Sequence, residues 1–287
     1  MCHTVKKRPA FSMLELVFVI IILGIVSSIG AELIAKVYES YIVQRSQHKA
    51  SIKTQIALNQ IANRLRNAIP GTVIRRVELN GVPVESLKEA MGAAPNTYNV
   101  LQWVGSDMDS FKAITSNVNR QPGWSGFCDI SASTTPGMPN ATTNIVSIGS
   151  NFALTNIIQT NLGRAGNQFA IYFPNDPIGH MGTGAGNIIA LANPVAPIVE
   201  RYKLAWSSYA LFVDDQNDLY LYYNFPPMRA AAAGQTRQLL LRNVSNFKFE
   251  GSGETIRIKL CVEEFIDGNP VPVPGTGIRS CKEKAIF

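Results

Sequence analysis

Histidine, cysteine and charged residues are all scarce in this chain. Its 287 residues include three His and four Cys, and only 16% of the residues are charged. So few His and Cys, without paired spacing, exclude an ordinary zinc site. The low charge content and the 46% hydrophobic residues exclude an intrinsically disordered chain, which needs high net charge and low hydrophobicity. We therefore expect a large packed core and no metal or other cofactor.

Recognisable catalytic motifs are also missing. His180 lies in a glycine-rich run, 179–186, which lacks the Lys-Ser/Thr of a phosphate-binding P-loop and the spacing of a dinucleotide fingerprint. No nucleophile-elbow motif supports a Ser-His-Asp arrangement around this histidine. We interpret the run as a flexible loop and expect no enzymatic activity. A hydrolase that relies on His180 is the weakest alternative.

An acidic run at 214–218 offers oxygen ligands for Ca²⁺. An EF-hand loop needs Gly at its sixth place and Glu at its twelfth, and counted from Asp214 these places hold Leu219 and Phe225. We interpret the run as a solvated hairpin turn.

Positive charge is concentrated at the N-terminus. The formal net charge is +6, and Lys6, Lys7 and Arg8 supply half of that excess. They precede an apolar stretch, 11–31, whose only charged residue is Glu15. The stretch has about the 20 residues that a helix needs to cross a bilayer. Basic residues before such a segment favour a cytoplasmic N-terminus.

Two ordinary interpretations of the apolar stretch compete. One is a secretory signal cut near Gly30 or Ala31, and the other is a plain single-pass anchor. Glu15 fits a signal poorly, and an anchor leaves it unexplained. A carboxylate at the membrane centre costs about 2.5 to 3.5 kcal/mol, but near the end of the segment, as here, it can reach the interface at modest cost and be merely tolerated.

A more specific pattern surrounds Glu15. A short basic leader ends in Arg8, Pro9 and Ala10, Phe11 follows, and Glu15 stands fifth after Ala10 at the start of the apolar run. This N-terminus resembles the type IV pilin and pseudopilin family, whose leader usually ends in Gly where this chain has Ala10. The resemblance implies cleavage between Ala10 and Phe11 by a prepilin peptidase, N-methylation of Phe11 and retention of the apolar segment.

The same resemblance implies an assembly role for Glu15. In the family this carboxylate pairs with the N-terminal amine of a neighbouring subunit, and two opposite charges buried together cost far less than either alone. The implied partners are other pilin or pseudopilin subunits, the prepilin peptidase and an inner-membrane assembly platform.

The helical signal continues beyond the membrane segment. No Pro or Gly occurs at 32–69, and Pro70-Gly71 supplies a stop signal. We predict one long helix within 11–70, with its transmembrane half at 11–33.

Two apolar stripes lie on nearly opposite sides of this helix when residues are placed at 100° intervals. The first stripe is Tyr38, Tyr41, Ile52 and Ile56, and the second is Leu58, Ile61, Leu65 and Ile69. We expect the second to dock on the globular part of the chain and the first to face neighbouring subunits. The alternative is one curved seam against a single domain.

Arg45, Lys49 and Lys53 form a basic line on the same helix, and we interpret it as a solvated face. His48 beside the line is interpreted as an exposed helical residue.

Short alternating runs follow Gly71 and predict a mainly antiparallel β domain over 71–287, which makes the fold class α+β after a leader at 1–10. The candidate strands are 72–79, 99–104, 144–148, 168–173, 187–191, 198–204, 207–213, 218–224, 238–242, 244–250 and 255–262. Residues 116–163, with few charges, are expected to form surface loops with short strands. No second domain boundary is evident.

Cleavage of the leader would remove Cys2 and leave Cys128, Cys261 and Cys281, enough for one intramolecular disulfide. The sequence permits all three pairings. We favour Cys261 with Cys281, partly because a disulfide near the C-terminus recurs among pilins. This pair would close a Gly- and Pro-rich loop and stabilise the fold by about 3 kcal/mol. Cys128 would then be a buried free thiol.

The resemblance leads us to expect a minor pilin or minor pseudopilin, a structural subunit of a type IV pilus-like or type II secretion filament. It would span the bacterial inner membrane once and later enter a periplasmic or surface filament. The alternative is a membrane-anchored binding module, an adhesin or a DNA-uptake subunit that uses Arg75, Arg76 or the basic line. Because the leader holds half of the positive excess, we do not expect nucleic-acid binding.

Overall fold

The computed structural model describes residues 12–82, 84–88, 98–115, 120–134, 142–163, 168–174, 176–253, 255–265 and 277–286. The leader, with the cleavage and methylation sites expected at Ala10 and Phe11, lies outside these residues.

Helices α1 to α4 cover Met13–Leu65, Met108–Lys112, Ile130–Ser133 and Phe152–Asn161. Strands β1 to β5 cover Ile74–Arg76, Val84–Ser86, Val100–Gly105, Cys128–Asp129 and Thr142–Ser147. Strands β6 to β10 cover Gln168–Tyr172, His180–Ala185, Ile188–Val195, Lys203–Ala205 and Ser207–Val213. Strands β11 to β15 cover Leu219–Phe225, Arg237–Leu241, Val244–Ser252, Thr255–Glu264 and Ile278–Ile286.

Helix α1 is one uninterrupted helix of 53 residues, which confirms the predicted long N-terminal helix. It ends at Leu65, before the expected stop at Pro70. Just beyond it, Ala68 bridges to Gly105, and the Ile69 amide donates to the Val104 carbonyl at 2.9 Å. The backbone of these residues therefore pairs with β3 and is no longer available for helical hydrogen bonds.

The strands form three antiparallel sheets, as expected for an α+β fold. The first has the order β12-β11-β10-β3-β1-β2, the second β13-β14-β15 and the third β4-β5-β8-β7-β6-β9. Hydrophobic residues of α1 and of the first two sheets share one core cluster, whereas the third sheet surrounds a cluster of its own. Helix α1 thus packs on the first two sheets.

The third sheet is inserted between two neighbouring strands of the first. Strands β3 and β10 are paired, with Leu101 opposite Leu211, although residues 106–206 separate them in the chain. We refer to 106–206 as the inserted lobe. This insertion was not predicted, because no change in composition marks the positions where the chain leaves and rejoins the first sheet.

Every candidate strand overlaps an observed one, but the loop interpretation of 179–186 was wrong. His180–Ala185 is strand β7, paired with β6 and β8. A Cβ atom on Gly184 would lie 2.5 Å from the Phe152 side chain, and one on Gly182 would lie 2.7 Å from the Ala190 carbonyl oxygen. These glycines therefore permit close packing inside the lobe. Helix α4, capped by the Asn151 side chain, also replaces part of the loops expected at 116–163.

The docked face of α1 lies where the second apolar stripe predicted it. All four residues of that stripe are at most 4% exposed, and those of the first stripe are at least 44% exposed. The buried face also extends toward the N-terminus through small residues, namely Ser46, Ala50, Thr54 and Ala57. Small side chains let the helix backbone approach β14 and β15 closely, a contribution that a hydropathy pattern does not register.

Candidate functional site

The described protein does not cover the N-terminal half of α1, most of which is apolar. No residue from 13 to 45 is buried, and the first buried residue of the helix is Ser46. The most apolar window has a mean hydropathy of 2.5 and no buried residue. At 1.5 Å per residue, the uncovered half is about 50 Å long. Within the described part of the chain, α1 alone is long and apolar enough to cross a membrane.

Glu15 stands in the first turn of this uncovered half, with Ser12 as the N-cap. The Ser12 hydroxyl accepts a hydrogen bond from the Glu15 amide at 3.3 Å. A serine followed three residues later by glutamate is the sequence signature of a capping box, and a carboxylate in the first turn also favours the helix dipole. This local role was not predicted for Glu15, although the spacing from Ser12 to Glu15 indicates it.

The basic line at the border between the two halves is not simply solvated, contrary to the sequence interpretation. Glu264, at the end of β14, forms two ion pairs. The Lys49 Nζ atom lies 2.6 Å from its Oε1 atom, and the Lys53 Nζ atom lies 2.9 Å from its Oε2 atom. Its side chain is only 9% exposed, whereas both lysines keep about half of their surface in solvent. Arg45 and His48 are exposed, as expected for His48. Two residues of the line thus join α1 to the second sheet.

Electrostatics at this junction favour the ionised carboxylate. Burial by itself raises the pKa of Glu264, but the hydrogen bonds and charges of Lys49 and Lys53 outweigh it and hold that pKa below its ordinary value. Nearby, the Lys284 ammonium on β15 donates to the Asn59 side-chain oxygen of α1 at 2.7 Å. Polar contacts therefore fix the helix at the rim of its apolar contact with the sheet.

The role of Glu264 was not predicted because its partners are far away in the chain, Lys53 by 211 residues and Lys49 by more. The available signal was a pair of carboxylates, Glu263 and Glu264, at the end of a predicted strand, together with three unexplained cations on one helix face. Opposite charges on two elements do not by themselves indicate that the elements meet.

The expected disulfide is present. Cys261 of β14 and Cys281 of β15 lie directly opposite each other and are bonded, with Cα atoms 4.0 Å apart. Cys128 is a buried free cysteine, also as expected, and burial raises the pKa of its thiol. The bond links the two strands on which α1 lies.

The two arginines considered for DNA binding are buried in internal contacts, which removes them from that role. Arg75 forms an ion pair with Glu85 at 2.8 Å and stacks on the Tyr98 ring at 4.2 Å. The Tyr98 hydroxyl and Arg75 together lower the pKa of Glu85. Arg76 donates to the Ala230 carbonyl, and burial lowers its pKa.

Around His180 and the acidic turn at 214–218, the described residues form structural contacts and no cluster of catalytic or metal-binding side chains. The His180 ring contacts Asp176 at 3.3 Å and the Phe173 ring. The Asp214 carboxylate accepts from the Gln216 and Asp218 amides, which closes the predicted hairpin turn between β10 and β11. The described residues contain no group of three His, Cys, Asp or Glu side chains that could hold a metal ion.

Comparisons with protein families, with curated proteins and with solved structures found no match to this chain.

Proposed function

We propose that this protein is a minor pilin or minor pseudopilin, a structural subunit of a type IV pilus-like or type II secretion filament. The observation that carries the proposal is the division of α1. One continuous helix is uncovered over 13–45, where it is apolar as far as Ala31 except at Glu15, and is docked on its own β sheets over 46–65. An exposed apolar helical segment that is long enough to cross a bilayer needs either lipid or other protein around it.

The uncovered half suits both environments in turn. As a membrane anchor it would cross the inner membrane once, with the basic leader in the cytoplasm. As a filament subunit it would leave the bilayer and pack against the helices of neighbouring subunits, with Tyr38 and Tyr41 of the first apolar stripe among its contacts. The β sheets and the inserted lobe would stay outside the membrane, and the protein would act by assembly rather than by catalysis.

Glu15 has two roles in this proposal. Its backbone amide takes part in the capping of α1, and its carboxylate is exposed and available to pair with the amine of a processed Phe11 on another subunit. Such a pair would be fully formed only when two subunits stand in the correct register, so Glu15 would set the register of the filament.

The mature N-terminus decides between this proposal and its alternatives. Purification from the native membrane followed by intact-mass and peptide mass spectrometry should show a chain that begins with N-methylated Phe11. A chain that begins near Ala31 would identify a cleaved secretory signal and overturn the proposal. An intact leader would indicate a plain anchor.

The second candidate is a membrane-anchored adhesin or DNA-uptake module. The burial of Arg75 and Arg76 and the pairing of Lys49 and Lys53 with Glu264 remove most of the cations first considered for it. DNA binding that weakens steeply with added salt, measured with the full chain in nanodiscs, would favour this candidate.

A further inference from the structure

A cleft of about 620 Å³ opens where the inserted lobe leaves the first sheet. One wall is the segment that follows α1, with Arg66 and Pro70, and the opposite wall comes from the lobe, with Phe111, Phe127 and Lys203. The cleft therefore lies at the end of α1 remote from the apolar half. Residue 66 is about 50 Å along the helix axis from residue 33, so the cleft is beyond the reach of lipid headgroups around the membrane segment.

Positive charge dominates the cleft. Four cationic side chains line it, Arg66, Lys88, Arg201 and Lys203, and the described residues of its lining include no Asp or Glu. Arg66, Arg201 and Lys203 are exposed residues, and none of them belongs to an ion pair among the described residues. Several like charges in a concave surface raise the local potential and favour an anionic ligand.

Two phenylalanine rings remain partly open in the same cleft. Phe111 is 41% and Phe127 is 43% exposed, and both line the cleft. The Phe111 ring packs against Trp124 with centroids 4.8 Å apart, and the Arg201 guanidinium lies 4.6 Å from the Phe127 centroid. Packing of this kind orders the rings and the guanidinium before a ligand arrives, which lowers the entropy cost of binding.

The combination of cationic side chains and partly exposed phenylalanine rings in the cleft fits an acidic polypeptide better than a nucleic acid. Single strands bind on successive open aromatic faces along an extended basic groove. Here the two exposed rings already have neighbours, Trp124 and Arg201, and Tyr202 is buried. An apolar centre with a charged rim is instead the usual anatomy of a protein interface.

We propose that the cleft binds an acidic segment of a partner polypeptide. Its carboxylates would pair with Arg66, Arg201 and Lys203, and an apolar side chain would rest against Phe111 and Phe127. Arginine suits this role because its planar fork donates two parallel hydrogen bonds to one carboxylate. This proposal does not depend on filament assembly, and it applies equally to an anchored binding module.

The test uses the full chain in phosphatidylcholine nanodiscs and a fluorescein-labelled dodecapeptide in which Glu residues flank two Leu residues. Fluorescence anisotropy should detect binding of this peptide, and replacement of its Glu residues by Gln should weaken binding by about tenfold or more. The double variant Arg201→Glu/Lys203→Glu should lose about tenfold or more in affinity. Phe127→Ala, which changes no charge, should also weaken binding.

Matched controls separate site binding from general charge attraction. Arg45→Glu/Arg242→Glu alters the net charge equally at two exposed positions outside the cleft and should leave the affinity unchanged. Equal loss in both double variants, equal binding of the Glu and Gln peptides, or no binding at millimolar peptide would overturn the proposal. A single-stranded oligonucleotide that binds more tightly than the peptide and loses affinity in Arg201→Glu/Lys203→Glu would make this a nucleic-acid cleft instead.

Discussion

The two halves of α1 have the same backbone conformation and opposite surroundings. Residues 13–45 are uncovered and carry apolar side chains on every side as far as Ala31, apart from Glu15, whereas residues 46–65 bury one face and expose the other. The buried face starts with small residues such as Ala50 and Thr54 and ends with large ones such as Leu58 and Ile61. The comparison indicates that the first half depends on contacts outside the described protein and the second half on contacts within it.

The largest expected effect on the free energy of unfolding is at Ile61 on the docked half of α1, and Ile56 on the opposite face is its matched control. Ile61 is 1% and Ile56 is 54% exposed, although they lie only five positions apart. Ile61→Ala should lower the free energy of unfolding by about 3 kcal/mol, because it leaves a cavity between α1 and the sheets. Ile56→Ala should change it by no more than about 0.5 kcal/mol. Urea unfolding in nanodiscs, followed by near-ultraviolet circular dichroism, would measure both, and equal effects would contradict the assignment of faces.

An intermediate effect on the free energy of unfolding is expected at Glu264, which contacts α1 at the border between its two halves. Glu264→Gln should lower the free energy of unfolding by about 1 to 2 kcal/mol, because Lys49 and Lys53 lose their charged acceptor. Glu283→Gln, an exposed site on the neighbouring strand β15, serves as the matched control and should have little effect.

The same contact predicts a pH dependence. The pKa of Glu264 is lower in the folded than in the unfolded chain, so its stabilisation is fully present above the ordinary carboxyl pKa and is lost as pH falls through the folded value. The difference in stability between wild type and Glu264→Gln should therefore shrink only in acid, below about pH 4.5. A difference that stays constant down to strongly acidic pH would show that the charge of Glu264 contributes nothing.

The smallest effect on stability, and the most specific one on assembly, is expected at Glu15 in the uncovered half. Glu15→Gln can retain the capping box, since Gln also suits that position, but it removes the charge. It should change the free energy of unfolding by only a few tenths of a kcal/mol. Glu15→Val removes both features. Leader cleavage should persist in both variants, and filament incorporation, followed by shearing and immunoblotting, should fail in both. Normal incorporation of Glu15→Gln would leave capping as the sole role of this residue.

Features that depend on neighbouring residues in the chain were predictable from the sequence. The long helix and its docked stripe follow from an uninterrupted apolar periodicity, and strand β10 matches its predicted bounds at 207–213 because alternation and turn residues delimit it. The Asp214 hairpin turn is local as well. The disulfide was favoured on a resemblance, and the strand that carries Cys281 was not predicted.

Features that depend on distant residues were not predictable in this way. Strand β7 looks like a loop in sequence, because the packing that requires Gly184 is supplied by Phe152 of another element. The Glu264 contact and the cleft each join segments that are far apart in the chain. Hydropathy and spacing describe what one segment can do, and they do not identify the segment that it meets.

The inserted lobe leaves and rejoins the first sheet at one point, between β3 and β10, and packs on that sheet through a small cluster that includes Val104, Tyr172 and Ala205. Gly105 and Ser207, where the lobe begins and ends, face each other across an antiparallel pair. A tight turn between these two residues would replace the lobe with an ordinary β-hairpin. Helix α1 and its disulfide-linked sheet would keep their direct contacts in such a shortened chain. Variation in the lobe can therefore change the exposed surface of the protein without altering helix α1 or the sheets on which it packs.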